Sequence, residues 1–526
     1  MSAPAVEAAP ATARRTPPDA VLLPLVGVLA TMAVSLGAWR PSLWTDEAAT
    51  ISAARRTPAQ LWRMLQELDA VHGLYYAALH VWTDLAGTSP FALRLPSAVA
   101  VGLAAVGVLV LTRRLAGGTS TAVLAAAAFT LLPRTAWSGT EARSTAAATA
   151  LAVWCTVLLV RALATPPGPP GPPARRWWAG YALTAASAVV LNVYLVLLLA
   201  AHAVTVALLR EVPVRRRVPW AVAAGAGLLL ASPVVVLVRG QGGQLGGSSP
   251  GPVTLARRLV VDQFFLGETP TTGSGAGGWS WWQPAAVALA VLGWALVLPA
   301  LRRDATGRRP AVAVWCLPWL LLPSGLVALA ALLAPATAGP LHNPRYFAFC
   351  APALAVLTAC TLATLPRRPR LLLAGLAALL ALPVLVSQRT PHAKSSSDWA
   401  QVADHLCRHA SPGDAVYFGA RRPPVDGTVT LTTRNISVAY PRCFAGLDDL
   451  TLTRTPAAAG DLTGRSRPLA AADLAAHDTV WVVRRPGDAT VAADDEVLAR
   501  AGFTERSRWS GPLDEVVEFT AGARGR

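Results

Sequence analysis

Two carboxylates stand side by side in the string W-T-D-E-A, Asp46 and Glu47, a few residues beyond the first long apolar run of the chain. Adjacent acids at a membrane boundary are electrostatically costly, and ionisable residues at that depth carry function by default. A carboxylate held there can act as general base on a hydroxyl whose reaction partner is presented by the bilayer. The plainer alternative is a pair of solvated loop acids beneath an interfacial tryptophan, Trp44. Other chemistry-bearing residues recur in short strings: V-H-G-L-Y-Y-A-A-L-H-V-W from Val71 to Trp82, L-R-L-P-S with Arg94, T-E-A-R with Glu141 and Arg143, and H-N-P-R-Y with His342, Arg345 and Tyr346. Each also has a structural reading. Arg345 could simply snorkel to headgroups, Arg94 anchor its helix, Glu141 and Arg143 pair at a loop, and Tyr75, Tyr76 and Trp82 pack at the interface. His72, His80 and His342 lack the tight spacing of a metal site, so no metal ligand set is assigned, although a divalent cation stays open.

These strings sit between apolar runs. Of 526 residues, 53% are hydrophobic and 14% charged, where a water-soluble chain carries about 25% charge. Of the 29 acids, 12 precede position 391 and 17 follow it, so the first three-quarters is too apolar for water and the last quarter is ordinary. A single soluble globule and a disordered chain are excluded. The net charge of +17 comes from 45 Arg and one Lys, scattered in clusters between apolar runs; a nucleic-acid binder would gather it on one soluble face. A span needs about 20 residues at about 1.5 Å each. Runs at 21–39, 93–112, 120–137, 144–161, 178–191, 193–209, 218–238, 284–301, 311–335, 345–365 and 370–387 meet or approach that length. The stretch from Trp178 to Leu209 is long for one span and short for two, with Asn192 as the break. Counting two makes six alternate segments hold 18 Arg against four acids, which the positive-inside rule places in the cytoplasm. The expectation is an α-helical polytopic membrane protein of eleven spans (20–387), N-terminus inside, first helix a retained signal-anchor. The outer loop 40–92 carries interfacial helices.

Residues 1–19 read as a disordered cytoplasmic N-terminus, Pro166–Pro173 as a stiff linker, and 240–283 as a Gly-rich outer loop. From Gln388 the composition changes, and 388–526 reads as a small extracytoplasmic α/β domain: helix at 398–409, strands at 414–418 and 479–483, helix at 493–501, strand at 515–520. Cys407 and Cys443 share that domain, either as a disulfide or as two unpaired thiols. Cys155, Cys316, Cys350 and Cys360 lie in apolar spans, where buried thiols are ordinary.

Taken in order, the acid pair after the first span, the His72-Gly73-Leu74-Tyr75-Tyr76 string, Arg94-Leu95-Pro96-Ser97 and Glu141-Ala142-Arg143 resemble the bacterial branch of glycosyltransferase family 39 over residues 20–390. That branch holds protein O-mannosyltransferase-like enzymes and the lipid A aminoarabinose transferase, all of GT-C fold. The tail resembles that of actinobacterial mannosyltransferases. One departure is that many relatives have H-P-P-L-Y-Y, one residue longer than the string at His72. The resemblance implies transfer of a sugar, mannose among the candidates, from a polyprenyl-phosphate donor to a glycan, lipid or protein hydroxyl on the outer side of the plasma membrane, with inversion. It implies Asp46 as base with Glu47 orienting it, by analogy with inverting glycosidases. It also implies a donor-binding set of Arg345, Tyr346, Arg143, Glu141, His72, Tyr75, Tyr76 and Arg94. In that set Arg345 and Arg143 meet the lipid phosphate, Glu141 holds Arg143, and Tyr346 donates a hydrogen bond. The alternative class is a multispan lipid or sugar transporter or flippase, whose signature would be repeated halves with broken helices at the midplane. No nucleic acid partner is expected, and no cofactor is assigned beyond the divalent cation that stays open.

Overall fold

The computed structural model describes residues 19–164, 172–209, 212–241, 249–268, 280–302 and 311–522. The expected N-terminal tail, most of the proline-rich linker and part of the Gly-rich loop lie outside these residues. Apolar runs become helices because no water satisfies backbone groups in lipid, so each segment must bond to itself. In chain order the helices are α1 (Asp19–Ser35), α2 (Thr45–Ala54), α3 (Pro58–Glu67), α4 (Gly73–Ala86), α5 (Pro90–Ala116), α6 (Thr119–Leu131), α7 (Pro133–Gly139), α8 (Thr145–Ala164), α9 (Pro172–Leu191), α10 (Val196–Leu208) and α11 (Val214–Gly240). They continue with α12 (Pro252–Arg257), α13 (Gln283–Val297), α14 (Ala311–Leu333), α15 (Pro335–Ala338), α16 (Ala351–Thr364) and α17 (Arg367–Ser387). Among the described residues seven helices are long and apolar enough to cross a membrane, and three shorter apolar helices join them, at Asp19–Ser35, Thr119–Leu131 and Val193–Leu208. With α9 these coincide with the eleven apolar runs of the sequence.

Asn192 does break the chain between α9 and α10. Its side chain accepts from the Tyr194 N–H (3.1 Å) and donates to the Tyr346 carbonyl (3.1 Å), replacing helical bonds lost at the kink. Helices meet through small residues where backbones come close. A Cβ on Gly102 of α5 would stand 2.6 Å from the Gly27 carbonyl of α1, so that crossing requires glycine. A buried polar clamp joins four helices. Trp220 donates to the Tyr181 hydroxyl (3.2 Å), which pairs with His202 Nδ1 (3.1 Å). Thr156 spends its own proton on the Ala152 carbonyl (2.8 Å), so it accepts from His202 Nε2 (3.1 Å).

The loop 40–92 folds into α2, α3 and α4. At α3, Thr57 and Gln60 cap reciprocally: the Thr57 hydroxyl accepts from the Gln60 N–H (3.3 Å), and the Gln60 amide oxygen accepts from the Thr57 N–H (3.1 Å). Beyond α17 the chain forms the expected α/β domain. Its five-stranded sheet runs β2-β1-β5-β7-β6, with β1 (Ala415–Phe418), β2 (Asp448–Asp449), β5 (Thr479–Arg484), β6 (Phe503–Ser510) and β7 (Glu515–Ala521). A separate two-stranded ribbon pairs β3 (Leu452–Arg454) with β4 (Arg465–Ser466). β1 is parallel to β2 and β5, and β7 antiparallel to β5 and β6. Helices α18 (Trp399–His409) and α21 (Val491–Arg500) fall where the sequence places them, α19 (Asn435–Ala439) and α20 (Pro456–Ala459) being the short helices between. β6 was not anticipated: Thr504 to Arg508 are all exposed on this edge strand, so no apolar alternation marks it. Of the two cysteine readings the disulfide is the one present, with Cys407 and Cys443 Cα atoms 4.6 Å apart.

Candidate active site

Asp46 and Glu47 occupy the first turn of α2, where unsatisfied N–H groups and the helix dipole favour negative charge. Consecutive helical side chains diverge by about 100°, so the two acids face different surroundings. Glu47 turns inward. Its carboxylate takes Arg94 Nε (2.7 Å) and Nη2 (2.6 Å) and the Ala142 N–H (3.1 Å), with both side chains at most 1% exposed. Arg94 spends its remaining donors on the carbonyls of Ala38 (2.6 Å), Pro41 (2.9 Å) and Ser42 (3.1 Å). No N–H is left for a phosphate, which corrects the donor-binding expectation for Arg94: it locks the loop that carries the acids.

Asp46 turns the other way, its side chain 18% exposed, and meets Arg345 Nη1 through Oδ2 (2.7 Å) and Arg143 Nη2 through Oδ1 (3.1 Å). Burial alone would raise its pKa, but the two guanidiniums overcome that and hold the carboxyl well below its usual range. The charges continue on both sides. Arg143 donates to the Tyr76 hydroxyl (2.8 Å), which donates to Asp69 (2.8 Å). Arg345 lies 3.9 Å from Glu268, whose other oxygen is 3.5 Å from the buried Arg134. Arg134 is fixed by the carbonyls of Asp262 (2.8 Å) and Gln263 (3.2 Å).

The remaining candidates are placed less directly. Glu141 does not hold Arg143, as the sequence reading had it. Only its backbone carbonyl meets the Arg143 N–H (2.9 Å), while its side chain is 1% exposed with Oε1 unpartnered among the described residues. Burial pushes its carboxyl up to about 7, opposed first by the charge of Lys394 and then by that of Arg345. The His72 ring packs 5.7 Å from Tyr76 and contacts Ser144 (3.4 Å), and burial followed by Arg143 drives its pKa down to about 4, so it is neutral. Tyr75 and Tyr76 are buried, Tyr75 against Ser97 (3.3 Å), and present no face to a sugar. Tyr346 stacks on Tyr194 (5.1 Å) beneath the Arg345 guanidinium (5.5 Å) and so supports that arginine by its ring.

A polar cavity of about 380 Å³, reached from Asp46 through Arg345, is lined by Trp44, Arg134, Arg258, Glu268, Arg345 and Ser395 among others. An apolar cavity of about 220 Å³ adjoins it between α6, α13, α16 and α17. Leu132 and Phe265 line the apolar space while Arg134 and Gly267, two residues on in each case, line the polar one. Arg134 and Lys394 are not singled out by the sequence, and Glu268 stands there only as one of eight acids on the outer side. Arg134 falls inside the run 120–137, where a lone intramembrane arginine is itself a signal. Among the described residues, no group of three or more His, Cys, Asp or Glu side chains is arranged to hold a metal ion.

A bundle of apolar helices with a charged cavity, an acid pair behind its first helix and a small α/β domain is the arrangement of the GT-C fold. Residues 74–237 match the family described as dolichyl-phosphate-mannose-protein mannosyltransferase. The chain is similar to the crystal structure of ArnT from Cupriavidus metallidurans bound to undecaprenyl phosphate, with TM-score 0.54 and 14% identity over 95% of this chain and 97% of that one. The apo form of the same enzyme aligns with TM-score 0.54 and 13% identity over the same shares. The oligosaccharyltransferase of Archaeoglobus fulgidus in its apo form aligns over 96% of this chain and 75% of its own, with 11% identity and TM-score 0.48. No protein of curated function matches the chain in sequence.

Proposed function

We propose that the protein transfers a sugar from a polyprenyl-phosphate donor to an acceptor hydroxyl, with Asp46 as general base. The observation that carries this reading is Asp46 clasped by Arg143 and by Arg345, which itself lines a polar cavity whose lining runs within two residues of an apolar one. A lipid phosphate has those two needs, cations for its head and apolar surface for its isoprenoid tail. The matching family is described by a dolichyl-phosphate-linked sugar, and the ArnT structure contains undecaprenyl phosphate.

In the reaction the acceptor oxygen attacks the anomeric carbon while the bond from that carbon to the phosphate oxygen breaks. The electron pair leaves with the lipid phosphate, and the hydroxyl proton passes to Asp46. A single displacement inverts the anomeric centre. Arg345 and Arg134 neutralise the developing phosphate charge, as pre-placed cations in a water-poor site do. Asp46 clamped by two arginines is a poor base. A donor phosphate competing for Arg345 loosens the clamp and raises the basicity of Asp46, so donor arrival and base activation become one event. Glu47 serves as a positioning group through Arg94 and Ala142.

The arginine asymmetry of the loops supports an N-terminus in the cytoplasm and a site on the outer face of the plasma membrane. Incubating membranes with labelled polyprenyl-phosphate sugars, mannose, arabinofuranose and galactose among them, tests the reading. Release of polyprenyl phosphate from one of them, lost in Asp46→Asn, is expected; release from none, by assembled protein, overturns it.

A further inference from the structure

Each arginine that closes on an acid at the site is already engaged: Arg94 by Glu47, Arg143 and Arg345 by Asp46, Arg134 by Glu268 and two carbonyls. Lys394 is different. It is wholly buried, its Nζ has no hydrogen-bond partner among the described residues, and it sits 3.5 Å from the centre of the Trp137 ring. It is also the single lysine of a chain with 45 arginines. Arginine is the ordinary cation of this sequence, so an amine at one buried position is a chemical choice: a buried lysine can lose its proton and an arginine cannot.

The strap that carries Lys394, from Gln388 to Asp398, is anchored at both ends. Gln388 donates to the carbonyls of Pro133 (3.1 Å) and Leu266 (3.2 Å), and the Ser397 hydroxyl donates to the Leu43 carbonyl (2.7 Å). Between them Ser395 and Ser396 adopt left-handed backbone (φ 50° and 62°), a conformation held only where surroundings over-determine it. Ser395 lines the polar cavity, so Lys394 is one residue along the chain from its wall. The charged groups acting on it are Glu141 from the loop after α7, Glu47 from α2, Arg94 from α5 and Glu268. Glu141 mirrors it, as a buried carboxylate whose Oε1 also lacks a partner.

We propose that Lys394 is a positioning residue of the donor site: its charge, set jointly with Glu141, governs how tightly the polar cavity holds a phosphate through Arg345 and Arg134. This rests on the donor reading above. Burial brings Lys394 down to about 8 and Glu141 up to about 7, so the pair sheds positive charge as pH rises through that interval. Both changes weaken capture of an anion. His72 and His342, each brought to about 4 by burial first, and Asp46, lower still, titrate outside the interval.

The test is the affinity of purified full-length protein for undecaprenyl phosphate between about pH 7 and about pH 9.5, where the phosphate has passed its own second ionisation near about 6. Wild-type affinity should fall about ten-fold across the range. Lys394→Arg, which keeps its charge, should bind as tightly at the alkaline end as at the neutral one. Lys394→Met should start about ten-fold weak and then fall only by the smaller part of the slope that Glu141 alone carries. One shared profile for the three folded proteins overturns the role of Lys394. Should Lys394→Met fail to assemble, the wild-type and Lys394→Arg profiles decide alone. A wild type that binds undecaprenyl phosphate at no pH overturns the donor reading, and this inference with it.

Discussion

Asp46 and Arg345, 299 residues apart in the chain, meet at 2.7 Å. The contact joins the loop after the first apolar helix to the entrance of a late one, and it couples the proposed base to the proposed phosphate ligand. Either residue alone is an ordinary charge in a short string; together they form the ion pair on which the proposed function rests.

Replacing Asp46 by Asn keeps the volume and removes the proton acceptor. Transfer should drop by about 10²–10⁴-fold, with protein still extracted as an assembled monodisperse species. Retention of wild-type turnover by that variant sinks the assignment of the base.

Arg345→Ala should weaken binding of polyprenyl phosphate strongly, and Arg345→Lys should restore the charge without the planar fork, recovering only part of it. Donor titrations of both variants decide this. An unchanged donor KM and kcat in the alanine variant removes Arg345 from the site.

Glu47→Gln leaves Arg94 buried without its counter-charge. Breaking a buried pair from one side costs about 3–5 kcal/mol, so the expected result is a lower melting temperature and poor assembly, with activity lost as a consequence. A normal melting curve beside abolished turnover would instead assign Glu47 a direct chemical part.

The depressed pKa of Asp46 makes a statement about stability. A carboxyl whose folded pKa lies below its unfolded value of about 3.9 contributes stability fully present above that value and lost as pH falls through the folded one. The melting temperature of Asp46→Asn should therefore lie below wild type at neutral pH, and the gap should close in acid. A gap that is constant with pH contradicts the ion-pair account.

Cys443→Ser opens the crosslink between α18 and the short helix Pro441–Phe444, a span of 36 residues. The cost is about 2–4 kcal/mol, read as a lower melting temperature and faster proteolysis of the α/β domain. Equal stability of wild type with and without reductant would show that the bond contributes little.

Much of this arrangement is legible from residue order alone. Apolar length sets the helices, the break at Asn192 follows from the loop-charge asymmetry, and Asp46, Arg143 and Arg345 stand out because charge near lipid is expensive. What escapes is partner choice. Arg94 and Arg345 look alike in sequence, yet one spends its donors on Glu47 and three carbonyls and the other faces a cavity. Glu141, two residues from Arg143, leaves that arginine to Asp46, because in the bend between α7 and α8 adjacency does not set side-chain direction. β6 is hidden for another reason, since an edge strand with a wet face has no period to read.

The strap and the α/β domain grip the same loop that carries the acid pair. The Pro391 carbonyl takes the Ser42 N–H (2.9 Å), and the Tyr440 hydroxyl takes the Leu43 N–H (2.8 Å). Chimeras built by grafting a foreign headpiece at the end of α17 would therefore unseat Trp44 and its neighbours, and their inactivity would say nothing about acceptor choice. A usable exchange has to retain the native chain through Tyr440 and splice beyond it.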